Sequence, residues 1–153
     1  MIIDSILANR FMREYKRFLL AIYQPEGASD EPKRTIEKLH SARSRFISNR
    51  GLLDEYLNTL EDSTEPIDRK IMLAIRNVEF SRWVYLRDLK SCSIFLNADS
   101  GSGYGVLGLK DEIKVITGGA GVVLEAGVVA LDDHYVCDGL IAGLVHLGPN
   151  YRR

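Results

Sequence analysis

Over the first 80 residues apolar side chains recur at helical spacing, and from Trp83 onward the period shortens to that of strands. Leu7, Phe11, Phe18 and Ile22, with Tyr15 between them, fall on one face, while Arg10, Arg13, Lys16 and Arg17 lie mostly off it. This predicts a first helix from Ile3 to Tyr23. Gln24-Pro25-Glu26-Gly27 ends it, because proline disfavours the helical conformation in the residue before it and glycine permits a reversal. A second helix is predicted to start near Ser29 or Asp30, either of which can accept from the exposed amides, with Pro32 in its first turn. Within it Leu39, Phe46, Leu53 and Leu60 recur every seven residues, with Ala42, Asn49 and Tyr56 interleaved. That is a short heptad seam, and the first helix is its expected antiparallel partner. Gly51 sits inside the seam, where the helix can kink or divide at about 1 kcal/mol relative to alanine. Ser63-Thr64-Glu65-Pro66 is another start signal, and Ile67, Ile71, Ile75 and Val78 carry a third helix to about Phe80.

Beyond Trp83, the sets Val84, Leu86, Leu89 and Cys92, Ile94, Leu96 predict strands, followed by a loop from Asn97 to Gly103. Ile113 to Thr117 is predicted as a further strand, with Gly118 to Gly121 as a turn. Val122 to Leu131 and His134 to Leu147 then form a hairpin turning at Asp132-Asp133. With a two-residue turn, facing positions have numbers that sum to 265. One face holds Val122, Leu124, Ala126, Val128 and Ala130, completed by Tyr135, Cys137, Ile141, Val145 and Leu147. It carries no charge and is the expected core face. The other holds Val123, Glu125, Val129, His134, Val136, Asp138, Leu140, Leu144 and His146.

The segregated pattern gives an α+β fold, with three N-terminal helices packed on a C-terminal antiparallel β-sheet of four or five strands. We expect one domain over residues 1–153, in which 1–80 form the helical layer and 83–148 the glycine-rich β layer.

Composition narrows the chemistry. The chain is 46% hydrophobic and 27% charged with a net charge of −1, so there is no overall pull toward nucleic acid or acidic membranes. Two cysteines, Cys92 and Cys137, are too few for a disulfide scaffold and suit a reducing compartment. The N-terminus lacks the apolar run and cleavage site of a signal peptide, and the most apolar stretch, Val115 to Leu131, is broken by Glu125 and glycines. A cytoplasmic location without a membrane span is therefore expected. No lysine or arginine occurs from residue 115 to 151, and 11 of the 13 glycines lie between Gly101 and Gly148.

Four groups of residues carry candidate chemistry. Glu125 and Asp138 share the mixed face of the hairpin; Asp138 faces Gly127, and Glu125 is its diagonal neighbour at about 5–8 Å. Two close carboxylates can divide acid and base roles or hold a cation, and the missing cations leave both without a neutralising neighbour on their own strands. Gly103-Tyr104-Gly105-Val106-Leu107-Gly108 matches the G-x-G-x-x-G pattern that cradles a pyrophosphate. The lone match is unspecific, since the following Lys110 to Thr117 suits a strand and further βα units are missing. His134, Cys137, His146 and nearby Asp132, Asp133 and Asp138 can ligate metal, yet His134 and Cys137 alternate onto opposite faces, and His134 and His146 lie about 40 Å apart on an unbroken strand. Neither a metal nor a cofactor is expected. Lys33, Arg34, Lys38, Arg43, Arg45 and Arg50 form a basic run spread around the second helix without interleaved aromatics, as a solvated helix exterior does.

These features point first to a non-catalytic protein-interaction or small-ligand-binding module that self-associates. The alternative is a small hydrolase or isomerase using Glu125 and Asp138, with or without a divalent cation. Nucleic-acid binding through the basic second helix comes third. The expected partners are a second copy of the chain, another protein or a small ligand.

Overall fold

A computed structural model describes residues 2–25, 34–60 and 68–147. The start signals at Ser29 to Pro32 and Ser63 to Pro66, the Glu26-Gly27 stop and Lys33 lie outside the described residues. The chain is α+β, with helices in its N-terminal half and a six-stranded, mostly antiparallel sheet in its C-terminal half. Two compact units divide it: residues 9–76, and residues 1–8 with 77–153.

The helical unit follows the apolar periodicity. Helix α1 (Ser5–Ile22) opens at Asp4, whose carboxylate accepts from the Leu7 amide at 3.2 Å, as an N-cap does. Tyr15, Phe11, Phe18 and Ile22 are all buried as the spacing required. The long second helix is divided where Gly51 suggested, into α2 (Thr35–Ser48) and α3 (Gly51–Leu60), with Asn49 leaving the helical conformation between them. Phe46 of α2 meets Phe18 edge-on at 4.9 Å between ring centroids, and Tyr56 of α3 lies 5.2 Å from the same ring. The third helix, α4 (Arg69–Arg76), is shorter than predicted, because Glu79 already begins a strand.

Asp68 holds this unit together at one point. Its carboxylate accepts a forked pair of bonds from Arg10, Nε to Oδ2 at 2.9 Å and Nη2 to Oδ1 at 3.0 Å, and lies 3.4 Å from the Ile71 amide at the start of α4. The Arg10 guanidinium holds the Asp68 carboxyl below its ordinary value. A depressed carboxylate stabilises the fold above its unfolded pKa, and that contribution is lost as pH falls through the folded value. Asp68→Ala is expected to lower stability by about 1–2 kcal/mol at neutral pH and to flatten the acid limb of a stability-against-pH curve from urea melts.

In the second unit β1 (Glu79–Asp88) is long enough to serve two neighbours. Glu79 to Tyr85 pair with β4 (Val122–Leu131), and Trp83 to Asp88 pair with β2 (Ser93–Asn97). β2 pairs antiparallel with β3 (Gly103–Leu107), β3 runs parallel to β5 (His134–Cys137), and β5 returns antiparallel to β4. The order β1-β2-β3-β5-β4 thus closes on β1, and five strands form a ring. The sixth, β6 (Ala142–His146), pairs with β4 beyond β5. The interior is filled by Trp83, Tyr85, Phe95, Val106, Leu124 and their neighbours, and the Trp83 indole N–H donates to the Ala126 carbonyl at 2.9 Å.

The hairpin has the predicted register: Val128 faces Cys137, Val129 faces Val136 and Leu131 faces His134, each pair summing to 265. Asp132 takes φ 52°, a left-handed conformation that aspartate tolerates, so the two-residue turn closes. The expected unbroken second strand is corrected at Asp138. Gly139 and Gly143 adopt φ of 82° and 60°, and β6 resumes with Val122 facing His146 and Val123 facing Val145, a sum of 268. An odd shift exchanges the faces. Val145, expected in the core, is therefore 59% exposed.

Ile113–Thr117 is also corrected, from strand to a short helix, α5. Ile113 and Thr117 are buried while Val115 is exposed, which is helical and not alternating burial. Gly118 at φ 84° caps the turn, its amide donating to the Lys114 carbonyl at 3.0 Å.

Candidate functional site

The two candidate carboxylates are held by different neighbours. Asp138 faces Gly127 as the register required; its main-chain N–H donates to the Gly127 carbonyl at 2.9 Å. The side chain is 5% exposed, and its Oδ1 lies 3.0 Å from the Leu140 amide and 3.3 Å from the Gly127 amide. A β-carbon on Gly127 would lie 2.6 Å from Oδ2, so glycine is required for this close approach. Glu125 instead stands opposite Arg82 of β1, with Nη2 3.8 Å from Oε1, and opposite Ala142 of β6. Sequence reasoning found no cation for Glu125 because the β1–β4 pairing, 43 positions apart at this pair, has no local signature.

The glycine motif lies in a strand and the turn after it. Gly103 and Gly105 belong to β3, opposite Leu96 and Ile94 on the outer surface of the ring. A pyrophosphate cradle needs such glycines at a strand-to-helix turn, with the helix N-terminus behind them. Gly108 has a packing reason: a β-carbon there would meet the Asp111 carbonyl oxygen at 2.0 Å, and the Ile3 amide donates to the Gly108 carbonyl at 3.0 Å. Gly108→Ala should therefore force the main chain apart and cost about 1–3 kcal/mol, measured by chemical denaturation.

The metal-capable residues do not converge. Cys137 is buried in the ring interior and His134 sits exposed at the hairpin end. Among the described residues no three His, Cys, Asp or Glu side chains gather as a metal ion requires.

Several residues of the basic run have structural tasks. Arg45 donates to the Ile22 carbonyl at the end of α1 at 2.7 Å, and Arg50 reaches the Arg76 carbonyl at the end of α4 at 3.5 Å. Both satisfy orphan carbonyls at the negative end of a helix. Arg43 is buried, and Lys38 lies over the Tyr23 ring at 5.7 Å.

One polar cluster escaped sequence reasoning. Asp88 accepts from the Tyr85 hydroxyl and, at 2.6 Å, from Ser93. Burial, reinforced by Asp88, pushes the Tyr85 hydroxyl well above its ordinary range, so it stays protonated. The adjoining cleft, lined by Lys90, Cys92, Glu112 and Lys114, holds about 100 Å³, below the roughly 300 Å³ at which ligand pockets begin.

The most extended feature is a row of side chains on the outer surface. Val145 faces Val123, Val123 faces Val84, Val84 faces Leu96 and Leu96 faces Gly103, so the row crosses β6, β4, β1, β2 and β3. Val123, Val84 and Leu96 are half-buried, and Ile94 opposite Gly105 widens the strip. Trp83 and Tyr85 of β1 and Phe95 of β2 turn inward, which leaves Val84, Ile94 and Leu96 outside. Glu125 and Arg82 border the row on one side.

No described helix is long and apolar enough to cross a membrane. Comparison of the chain with models of protein families, with curated proteins and with solved structures finds no match.

Proposed function

We propose that the chain is a non-catalytic binding module that self-associates through the strand unit. The observation that carries this is the apolar row from Val145 to Leu96, partly open to solvent across four strands and ended by the exposed Gly103. Apolar side chains that adjoin across strands in this way offer a surface for association. The carboxylates add no competing case: Asp138 is engaged by main-chain amides and Glu125 by Arg82.

Strand order supports binding over catalysis. A closed five-stranded ring with this order is shared with OB-type Greek-key barrels, which bind ligands on the outer face of their second and third strands. The analogy is one of strand order and names no ligand. On this chain strands β2 and β3 present Ile94, Leu96, Gly103 and Gly105 there, with Arg87 of β1 opposite Ile94, and neither strand turns outward an aromatic on which single-stranded nucleic acid stacks. Apolar protein surface is the better match. Light scattering on the purified chain should show a mass that rises with concentration; a strict monomer up to near-millimolar concentration ends this proposal.

A further inference from the structure

We infer that two copies of the chain join through β6, antiparallel, about a twofold axis beside Val145; this rests on the self-association proposed above and names its partner and geometry. β6 is the last strand of the sheet, and among the described residues its strand partner is β4 alone. The Leu147 amide donates to the Gly121 carbonyl at 2.7 Å, and His146 stands opposite Val122 in the same register. Successive residues of an antiparallel ladder send their main-chain groups to opposite sides. The N–H and C=O of His146 therefore point to the open edge.

Sheet edges are ordinarily blunted by lysine, proline, inward charge or a bulge. Ala142 to Leu147 contain no lysine, arginine, acid or proline. The register shift between the Val145 and Ala142 pairings confines the regular edge to its last residues, Leu144 to Leu147.

Three observations favour a second copy over a foreign strand. Val145, 59% exposed, is the open end of the apolar row, and setting it against Val145 of the second copy continues the row into an identical one. That register also puts Leu144 against His146 of the second copy, so no two like-charged side chains oppose each other. Finally, a pairing of about four residues spans only about 14 Å. It falls short of the roughly 1,200–2,000 Å² of a stable interface unless apolar side chains beyond the ladder join in, and a second copy brings its own. The expected product is a weak, concentration-dependent dimer.

Sedimentation velocity from low micromolar to near-millimolar concentration, on the full chain, tests this. Val145→Lys places two ammonium groups face to face and should weaken the dimer by about tenfold or more. Val115→Lys, the same charge change at a 67% exposed site on α5, should leave it unaltered. In the wild-type chain, hydrogen exchange at the His146 amide should slow as concentration rises, a readout that does not depend on any variant folding. If the wild-type chain associates but Val145→Lys behaves like Val115→Lys, or His146 exchange ignores concentration, the edge pairing is overturned while self-association stands. A monomeric wild-type chain overturns both and leaves the edge to a foreign strand.

Discussion

Trp83→Ala is expected to lower the unfolding free energy of the strand unit by about 3–5 kcal/mol, the range for truncating a fully buried large aromatic. Trp83 is 0% exposed and sits where β1 is shared, facing Leu124 of β4 on one side and Asn97 of β2 on the other. Its ring meets Tyr104 edge-on at 5.5 Å and Phe95 at 6.2 Å, so one deletion removes contacts to three strands of the ring. The Ala126 carbonyl also loses the indole N–H that donates to it. Trp83→Phe separates the two causes, since it keeps most of the ring volume and removes only the donor; about 1–3 kcal/mol is expected from it. Circular dichroism during denaturation is the suitable measurement, because Trp83 is the single tryptophan and its fluorescence disappears with it. If Trp83→Ala melts within 1 kcal/mol of the wild-type chain, the ring interior is not the core described above.

Local signals were legible in the sequence and long-range ones were not. The face of α1 could be read because Leu7, Phe11, Phe18 and Ile22 obey a period set by the helix itself. The hairpin could be read because two residues at Asp132-Asp133 fix a register, and that register alone places Asp138 against Gly127. Ring closure depends on β1 meeting β4 and β3 meeting β5, pairings between distant segments that nothing in either strand announces. For the same reason Glu125 looked unpartnered until Arg82 came beside it. α5 was misassigned because Ile113, Val115 and Ile116 are β-branched, and five residues are too few for a helical period to outweigh that propensity. Val145 was placed on the wrong face because the left-handed Gly139 and Gly143 add an odd register shift, and nearer the turn Tyr135, expected in the core, is 43% exposed while Val129 and Val136, expected on the mixed face, are buried. That shift is also what turns Val145 outward, so the residue on which the proposed pairing rests was the one least visible in the pattern.

Asp138→Ala is expected to cost about 2–4 kcal/mol, because it leaves the buried Gly127 and Leu140 amides without their side-chain acceptor. Both amides belong to the point where the hairpin register breaks, so the carboxylate fixes the departure of the chain from β5. Asp138→Asn retains a carbonyl oxygen at Oδ1 and should cost about 1 kcal/mol, the difference between a charged and a neutral acceptor. The comparison separates structure from catalysis. A general acid or base is silenced by asparagine and alanine alike, since neither can exchange a proton at that position. A main-chain acceptor tolerates asparagine and fails only with alanine. Urea melts should therefore rank the chain wild type, then Asn, then Ala, with the larger step at alanine. Equal destabilisation by both substitutions would show that charge, not acceptor geometry, holds Asp138 in place. Gly127→Ala checks the same contact from the other strand, because its β-carbon would press on Oδ2 and on Val78. A loss of about 1–3 kcal/mol there, with no further loss when combined with Asp138→Ala, would locate the whole effect in this single contact.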